Sequence, residues 1–122
     1  MKSRESLIRL KRFQVEEKRR RLSQIETMIA EFDRMSGDLD REIRIEEERS
    51  GISDPGHFAY PTYARAAAQR RDNLRRSTDE LRTQLEDARA LFEEAAEELR
   101  RFEMLDDRDQ ARERSEFQAA RA

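Results

Sequence analysis

The stretch Ser50-Gly51-Ile52-Ser53-Asp54-Pro55-Gly56-His57-Phe58-Ala59-Tyr60-Pro61 holds both prolines and two of the three glycines of a 122-residue chain. Proline has no N–H to donate and disfavours helix in the residue before it, so helix propagation must stop here. Pro61 suits the first turn of a following helix, where the missing N–H costs nothing. Asp54-Pro55 is suited to cap one extra turn inside the connection.

On the N-terminal side, Ser3 to Arg49 is poor in helix breakers. Every seventh residue from Ile8 gives Val15, Leu22, Ile29, Ser36 and Ile43; three positions further on lie Lys11, Lys18, Ile25, Phe32, Leu39 and Glu46. Eight of these twelve are apolar, with a clean seam from Leu22 to Phe32. Gly37 costs about 1 kcal/mol relative to Ala in a helix interior, and a soft spot or bend is expected there. On the C-terminal side Tyr60, Ala67, Leu74, Leu81, Ala88, Ala95 and Phe102 recur every seven. Ala64, Arg71, Thr78, Leu85, Phe92, Leu99 and Asp106 form the companion series, and eleven of the fourteen are apolar. Heptads sustained this long mark a coiled coil. At 1.5 Å per residue each helix is about 70 Å or more in length, and alanines in the seam let the helices approach closely. The expected fold is all-α: two long helices, 3–49 and 61–117, joined by a loop at 50–60 into one antiparallel coiled-coil hairpin.

Charge tests the orientation. Residues 1–21 carry nine basic and three acidic side chains, net +6, and residues 79–109 five basic and twelve acidic, net −7. Nearer the loop, residues 38–49 are net −3 and residues 65–76 net +4. Folding at the loop sets opposite blocks side by side at both ends, whereas a parallel in-register homodimer sets each block against itself. Exposed pairs are worth ~0–1 kcal/mol each, so the pattern selects orientation more than it stabilises. Glu16–Arg20, Glu17–Arg21, Asp72–Arg76 and Glu97–Arg101, spaced i,i+4 with the acid first, support each helix locally. Two helices without a third layer make a thin core, so modest stability and fraying ends are expected.

Composition excludes several classes. Charged residues make up 44% and hydrophobic ones 35%, which suits a narrow seam and not a thick core. A formal charge of −2 lacks the basic surplus of a general nucleic-acid binder. Without cysteine there is no disulfide or thiolate metal site. Met1 to Leu10 shows no apolar signal core, and no apolar run approaches a membrane span, so a cytoplasmic protein without membrane insertion is expected. No phosphate-binding glycine loop, G-x-S-x-G or H-E-x-x-H occurs, and no enzyme activity or cofactor is expected. His57 reads as a turn residue at solvent. Asp106-Asp107-x-Asp109 lacks the turn-forming Gly and further oxygens of an ion cage and reads as a solvated acidic face.

Binding is therefore the expected work. Lys18-Arg19-Arg20-Arg21 is the densest basic run. Part of it is expected to pair with the acidic block Glu93 to Glu103; its alternative role is docking an acidic protein surface. Arg70, Arg71, Arg75 and Arg76 form a second cluster near the loop, with the same two readings. Leu10 and Phe13 fall off the seam, as does Met104 at the same end, and together they suggest a partner surface. Phe58, Tyr60 and Tyr63 flank the prolines and are expected to plug the end of the seam; exposed, they would anchor a partner instead.

The opening Met1-Lys-Ser-Arg-Glu-Ser-Leu-Ile-Arg-Leu-Lys-Arg-Phe-Gln-Val-Glu-Glu-Lys-Arg-Arg-Arg21 resembles the FliJ family of flagellar type III export proteins and the related YscO-like proteins of injectisomes. So do the stretches Phe58-Ala-Tyr-Pro-Thr-Tyr-Ala-Arg65 and Gln69-Arg-Arg-Asp-Asn-Leu74, and the likeness extends over the whole chain in length and layout. The resemblance implies a small cytosolic part of the export apparatus, similar to the stalk subunit of rotary ATPases. Its terminal end would enter the hexameric export ATPase, and another part would contact the membrane protein of the export gate. Members also bind chaperones of export substrates. Carried over by position, the ATPase end is Leu7, Leu10, Phe13, Lys18, Arg19, Arg20, Arg21 and Met104. The gate end is Tyr63, Arg70, Arg71 and Leu74. Basic members are familiar, and the net charge of −2 departs from them. The alternatives are a generic cytoplasmic coiled-coil adaptor or spacer, and a small secreted hairpin of the WXG type, whose Trp-x-Gly turn this chain lacks.

Overall fold

A computed structural model describes residues 2–121, with the side chain of Lys2 left aside; Met1, which opens the family-like stretch, and Ala122 lie outside the described residues. The architecture is an all-α hairpin of two helices, α1 (Lys2–Ser50) and α2 (Thr62–Arg121), with no strand among the described residues. Both helices are longer than the expected 3–49 and 61–117. Seam spacing cannot mark where α2 ends, because its last turns, 110–121, are exposed on every side and remain helical. All twelve α1 seam positions, Tyr60 and the thirteen seam positions on α2 are buried or half-buried, so the heptad register holds from Ile8 to Glu46 and from Tyr60 to Asp106.

Helix is not interrupted at Gly37, where a soft spot or bend was expected. Helix continues through it, and a Cβ there would meet only the Arg41 guanidinium at 3.9 Å. Helix α1 ends at Gly51, whose φ of 73° is the left-handed conformation that closes a helix. Its N–H donates to the Glu47 carbonyl at 2.9 Å. Ser50 Oγ donates to the same carbonyl at 3.2 Å and accepts from the Ile52 N–H at 3.1 Å.

The connection forms a capped turn at Asp54-Pro55, as expected. Asp54 Oδ1 accepts from the Gly56 N–H at 2.9 Å, and the Asp54 carbonyl accepts from the His57 N–H at 3.0 Å. Pro61 stands one residue before α2, and its carbonyl accepts the first helical bond, from the Arg65 N–H at 3.1 Å.

Contacts divide the chain into two compact units: a terminal unit, Met1–Ser23 with Asp87–Ala122, and a loop unit, Gln24–Glu86. Within each, the α1 and α2 stretches run antiparallel. The loop unit holds the densest core, where Leu39, Ile43, Tyr60, Ala64 and Ala67 pack together with Ile52, Ala68 and Leu74 against them. Ala64 is wholly buried and Ala67 nearly so, the small side chains that close helix approach requires. In the terminal unit Ile8, Val15 and Ala88 are the buried seam residues.

Candidate partner-binding surfaces

In the terminal unit Arg4, Lys11 and Arg12, which precede the expected run, pair with the acidic stretch of α2. Arg4 Nε lies 2.5 Å from Asp106 Oδ1, Arg4 Nη1 is 2.9 Å from Asp109, and Nη2 is 3.4 Å from Glu113. The Nε and Oδ1 atoms are buried and lack hydrogen-bond alignment, yet they face each other as opposite charges, so the contact is an ion pair and not two orphaned groups. Burial opposes the Arg4 charge, but the Glu113 hydrogen bond and the neighbouring carboxylates outweigh it and raise its pKa. Lys11 Nζ reaches Glu98 at 2.8 Å and lies 5.3 Å from the centroid of the Phe102 ring. Arg12 pairs with Glu103 at 3.3 Å.

The run Lys18 to Arg21 is distributed differently. Lys18 takes a half-buried seam position. Arg19 lies 5.3 Å from the Phe92 ring and 3.5 Å from Glu16 on its own helix. Arg20 and Arg21 are exposed. The apolar candidates face outward: Leu7 is 37% exposed, Leu10 49%, Phe13 53% and Met104 65%. Leu7, Leu10 and Phe13 stand three residues apart and form one stripe along α1.

In the loop unit the expected gate-end residues separate by role. Arg71 and Arg75 both close on Asp40, at 2.9 and 2.8 Å, and the Asp40 hydrogen bond raises the Arg71 pKa against the effect of burial. Leu74 packs on the core. These two expected site residues therefore also hold the hairpin together, while Tyr63 and Arg70 face solvent. Tyr63 is 54% exposed and donates its hydroxyl to Glu42 Oε2 at 2.9 Å.

The three aromatics near the prolines also diverge. Tyr60 plugs the seam as expected, with its hydroxyl donated to Glu47 Oε2 at 3.0 Å and Arg65 over its ring. Phe58 does not: it is 95% exposed, stacked on the His57 ring with centroids 4.7 Å apart. His57 is more than a bystander, since its Nδ1 accepts the Ala59 N–H at 3.0 Å and so carries no proton in this arrangement.

Sequence reading passed over Leu91, Leu105, Met28 and Ile45, all exposed. The signal that finds them is the heptad position next to the seam, not hydrophobicity alone. The grooves are shallow and charged: the one at Ile8 holds about 340 Å³ between Glu5, Arg9, Arg12, Glu103, Asp106 and Asp107. Among the described residues no cluster of three or more potential metal ligands occurs, and no helix is long and apolar enough to cross a membrane. Compared with known proteins, the chain matches no family model, no curated protein and no solved structure.

Proposed function

We propose that the chain is a cytoplasmic, stalk-like coiled-coil component of a flagellar-type protein export apparatus, acting by binding other proteins. The observation that carries the reading is the terminal unit, where Leu7, Leu10 and Phe13 form an outward stripe on α1 and Met104 faces out from α2, with Arg20 and Arg21 nearby. Apolar side chains interleaved with arginine suit a protein interface, because desolvation gives affinity while charge sets register and on-rate. This end meets the hexameric export ATPase. The loop unit meets the membrane protein of the export gate, through Tyr63 and Arg70 more than through Arg71 and Leu74, which are engaged internally. Export chaperones are further partners of the same hairpin.

The test is the hydrolysis rate and oligomeric state of the cognate export ATPase with and without this protein. Stimulation with hexamer formation is expected, reduced by Leu10→Asp with Phe13→Asp; both sites are about half exposed, so the variant should fold. No effect at micromolar excess of a demonstrably helical protein would overturn the assignment and leave an adaptor or spacer.

A further inference from the structure

Towards its end, the acidic stretch of α2 presents arginine and not carboxylate to one flank of the terminal unit. Arg12, directly after seam residue Lys11, pairs with Glu103, directly after Phe102, at 3.3 Å. Glu5, Arg9, Arg12, Glu103 and Asp107 line the groove on that side. Residues directly before a seam position therefore share the opposite flank, where Leu7 (before Ile8) and Leu105 (before Asp106) stand. The two are level along the helix pair, between the Arg4–Asp106 contact at 2.5 Å and the Lys11–Glu98 contact at 2.8 Å. Leu10, three residues beyond Leu7, widens the patch on α1. On α2 Leu105 belongs to a row of Arg101, Leu105, Arg108 and Arg112, whose spacings of four, three and four residues keep to one helix face. All of these leucines and arginines are exposed.

The neighbouring carboxylates are all drawn elsewhere. Glu98 reaches Lys11, Glu103 reaches Arg12, and Asp106, Asp109 and Glu113 close on Arg4. Asp107 lines the opposite groove, as does Glu5, the one acid of α1 between Ser3 and Gln14. Among the described residues no carboxylate pairs with Arg101, Arg108 or Arg112. Residues 79–109 are net −7, yet this face of α2 beyond Glu98 is cationic. The patch is short and ends towards the loop at Gln14 and Glu98.

We propose that this patch docks an acidic amphipathic helix of a protein partner. The helix lies along the flank as a third helix, its apolar ridge on Leu7, Leu10 and Leu105 and its carboxylates on Arg101, Arg108 and Arg112. Guanidinium forks match carboxylates two bonds at a time, and charge of one sign repels a basic partner. The leucines between the arginines favour a protein over a nucleic acid, since a phosphate backbone offers them nothing apolar to bury against. Three leucines fall short of the broad apolar face by which a helix lies in a membrane surface. The row from Arg101 to Arg112 spans about 16 Å, so the contact covers a few hundred Å² and the complex exchanges readily. The inference rests on the reading that the terminal end binds protein, and it names the partner's chemistry whether or not that partner is the export ATPase.

The chain has no tryptophan, so a single tryptophan in a helical peptide of about 20 residues reports binding by fluorescence. Two such peptides share a leucine stripe, flanked by glutamate in one and by lysine in the other. The glutamate peptide should bind the full chain with a dissociation constant on the order of 100 µM at about 50 mM salt, and several-fold more weakly at about 500 mM. It should bind about tenfold or more tighter than the lysine peptide. Arg108→Glu with Arg112→Glu should weaken binding about tenfold at unchanged helicity. Arg100→Glu with Arg114→Glu, the same change of charge on another exposed face of α2, should alter it by less than about twofold. Leu105→Gln, which adds no charge, should weaken it about fivefold. No binding at about 1 mM glutamate peptide, equal binding of the two peptides, or equal loss in both arginine pairs would each overturn the proposal. Capture by phosphatidylglycerol vesicles without peptide binding would also overturn it and give the patch to lipid. A glutamate peptide that binds here while the export ATPase does not respond removes the export reading alone. An ATPase that responds equally to wild type and to Arg108→Glu with Arg112→Glu, with no peptide bound, removes this inference alone.

Discussion

Tyr60 and Tyr63, the only tyrosines in a chain without tryptophan, are both held above the ordinary phenol range, for different reasons. Burial is the larger cause at Tyr60, followed by its hydrogen bond to Glu47; at Tyr63 the hydrogen bond to Glu42 leads. A phenol whose ionisation is raised by folding contributes stability that is fully present below the unfolded value, ~10, and lost as pH rises through the folded one. Alkaline loss of helicity beginning above about pH 10 is therefore expected. Tyrosinate absorbance should titrate above free tyrosine in the wild type. Tyr60→Phe isolates Tyr63, whose shift should persist, and costs about 1 kcal/mol in a thermal melt through the lost bond to Glu47. A wild-type titration coincident with free tyrosine would remove the basis for this expectation. Phe58 was misread because apolar character near a seam end predicts burial only if the backbone turns the ring inward. Here the turns at Asp54 and His57 set its direction, and no side-chain periodicity reports that.

At the level of elements, the two helix-related glycines should respond oppositely to the same substitution. Gly37 lies inside α1 with room for a methyl group, so Gly37→Ala should stabilise by about 1 kcal/mol. Gly51 also has open space, but its φ of 73° strains any L side chain, so Gly51→Ala should destabilise by about 1 kcal/mol despite the room. Chemical denaturation of the two variants would decide it, and a shift of the same sign in both would show that conformation at Gly51 is not limiting. Heptad spacing was legible to the residue: even its polar members sit in the seam, several with a local solution, although the buried Ser36 hydroxyl has no hydrogen-bond partner. Thr78 donates to the Leu74 carbonyl at 3.0 Å, Lys11 reaches out to Glu98, and Arg71 reaches Asp40. Helix continues through Gly37 because seam packing on both sides outweighs the intrinsic cost of one glycine. Which cations pair across the helices was not legible, because it depends on the flank a side chain occupies, and a block count has no flanks.

For the molecule as a whole, charge orders the helices without holding them strongly. The pairs across them are mostly half-exposed, so moving from about 10 mM to 500 mM salt should lower the melting temperature by only a few degrees. A large drop would give ion pairs the role assigned here to the seam. The two units also differ in how far along the chain their partners lie. Tyr60–Glu47, Tyr63–Glu42 and Arg71–Asp40 join residues 13, 21 and 31 apart, whereas Lys11–Glu98 and Arg4–Asp109 join residues 87 and 105 apart. Closing the longer span carries the greater entropy cost, and contacts local in sequence form sooner. During synthesis the first twenty-three residues leave the ribosome long before the acidic stretch that will cover them has been made. The terminal surface, with Leu7, Leu10 and Phe13 on α1 and Met104 on α2, is therefore assembled only after residues 87–109 have been made and folded back on α1.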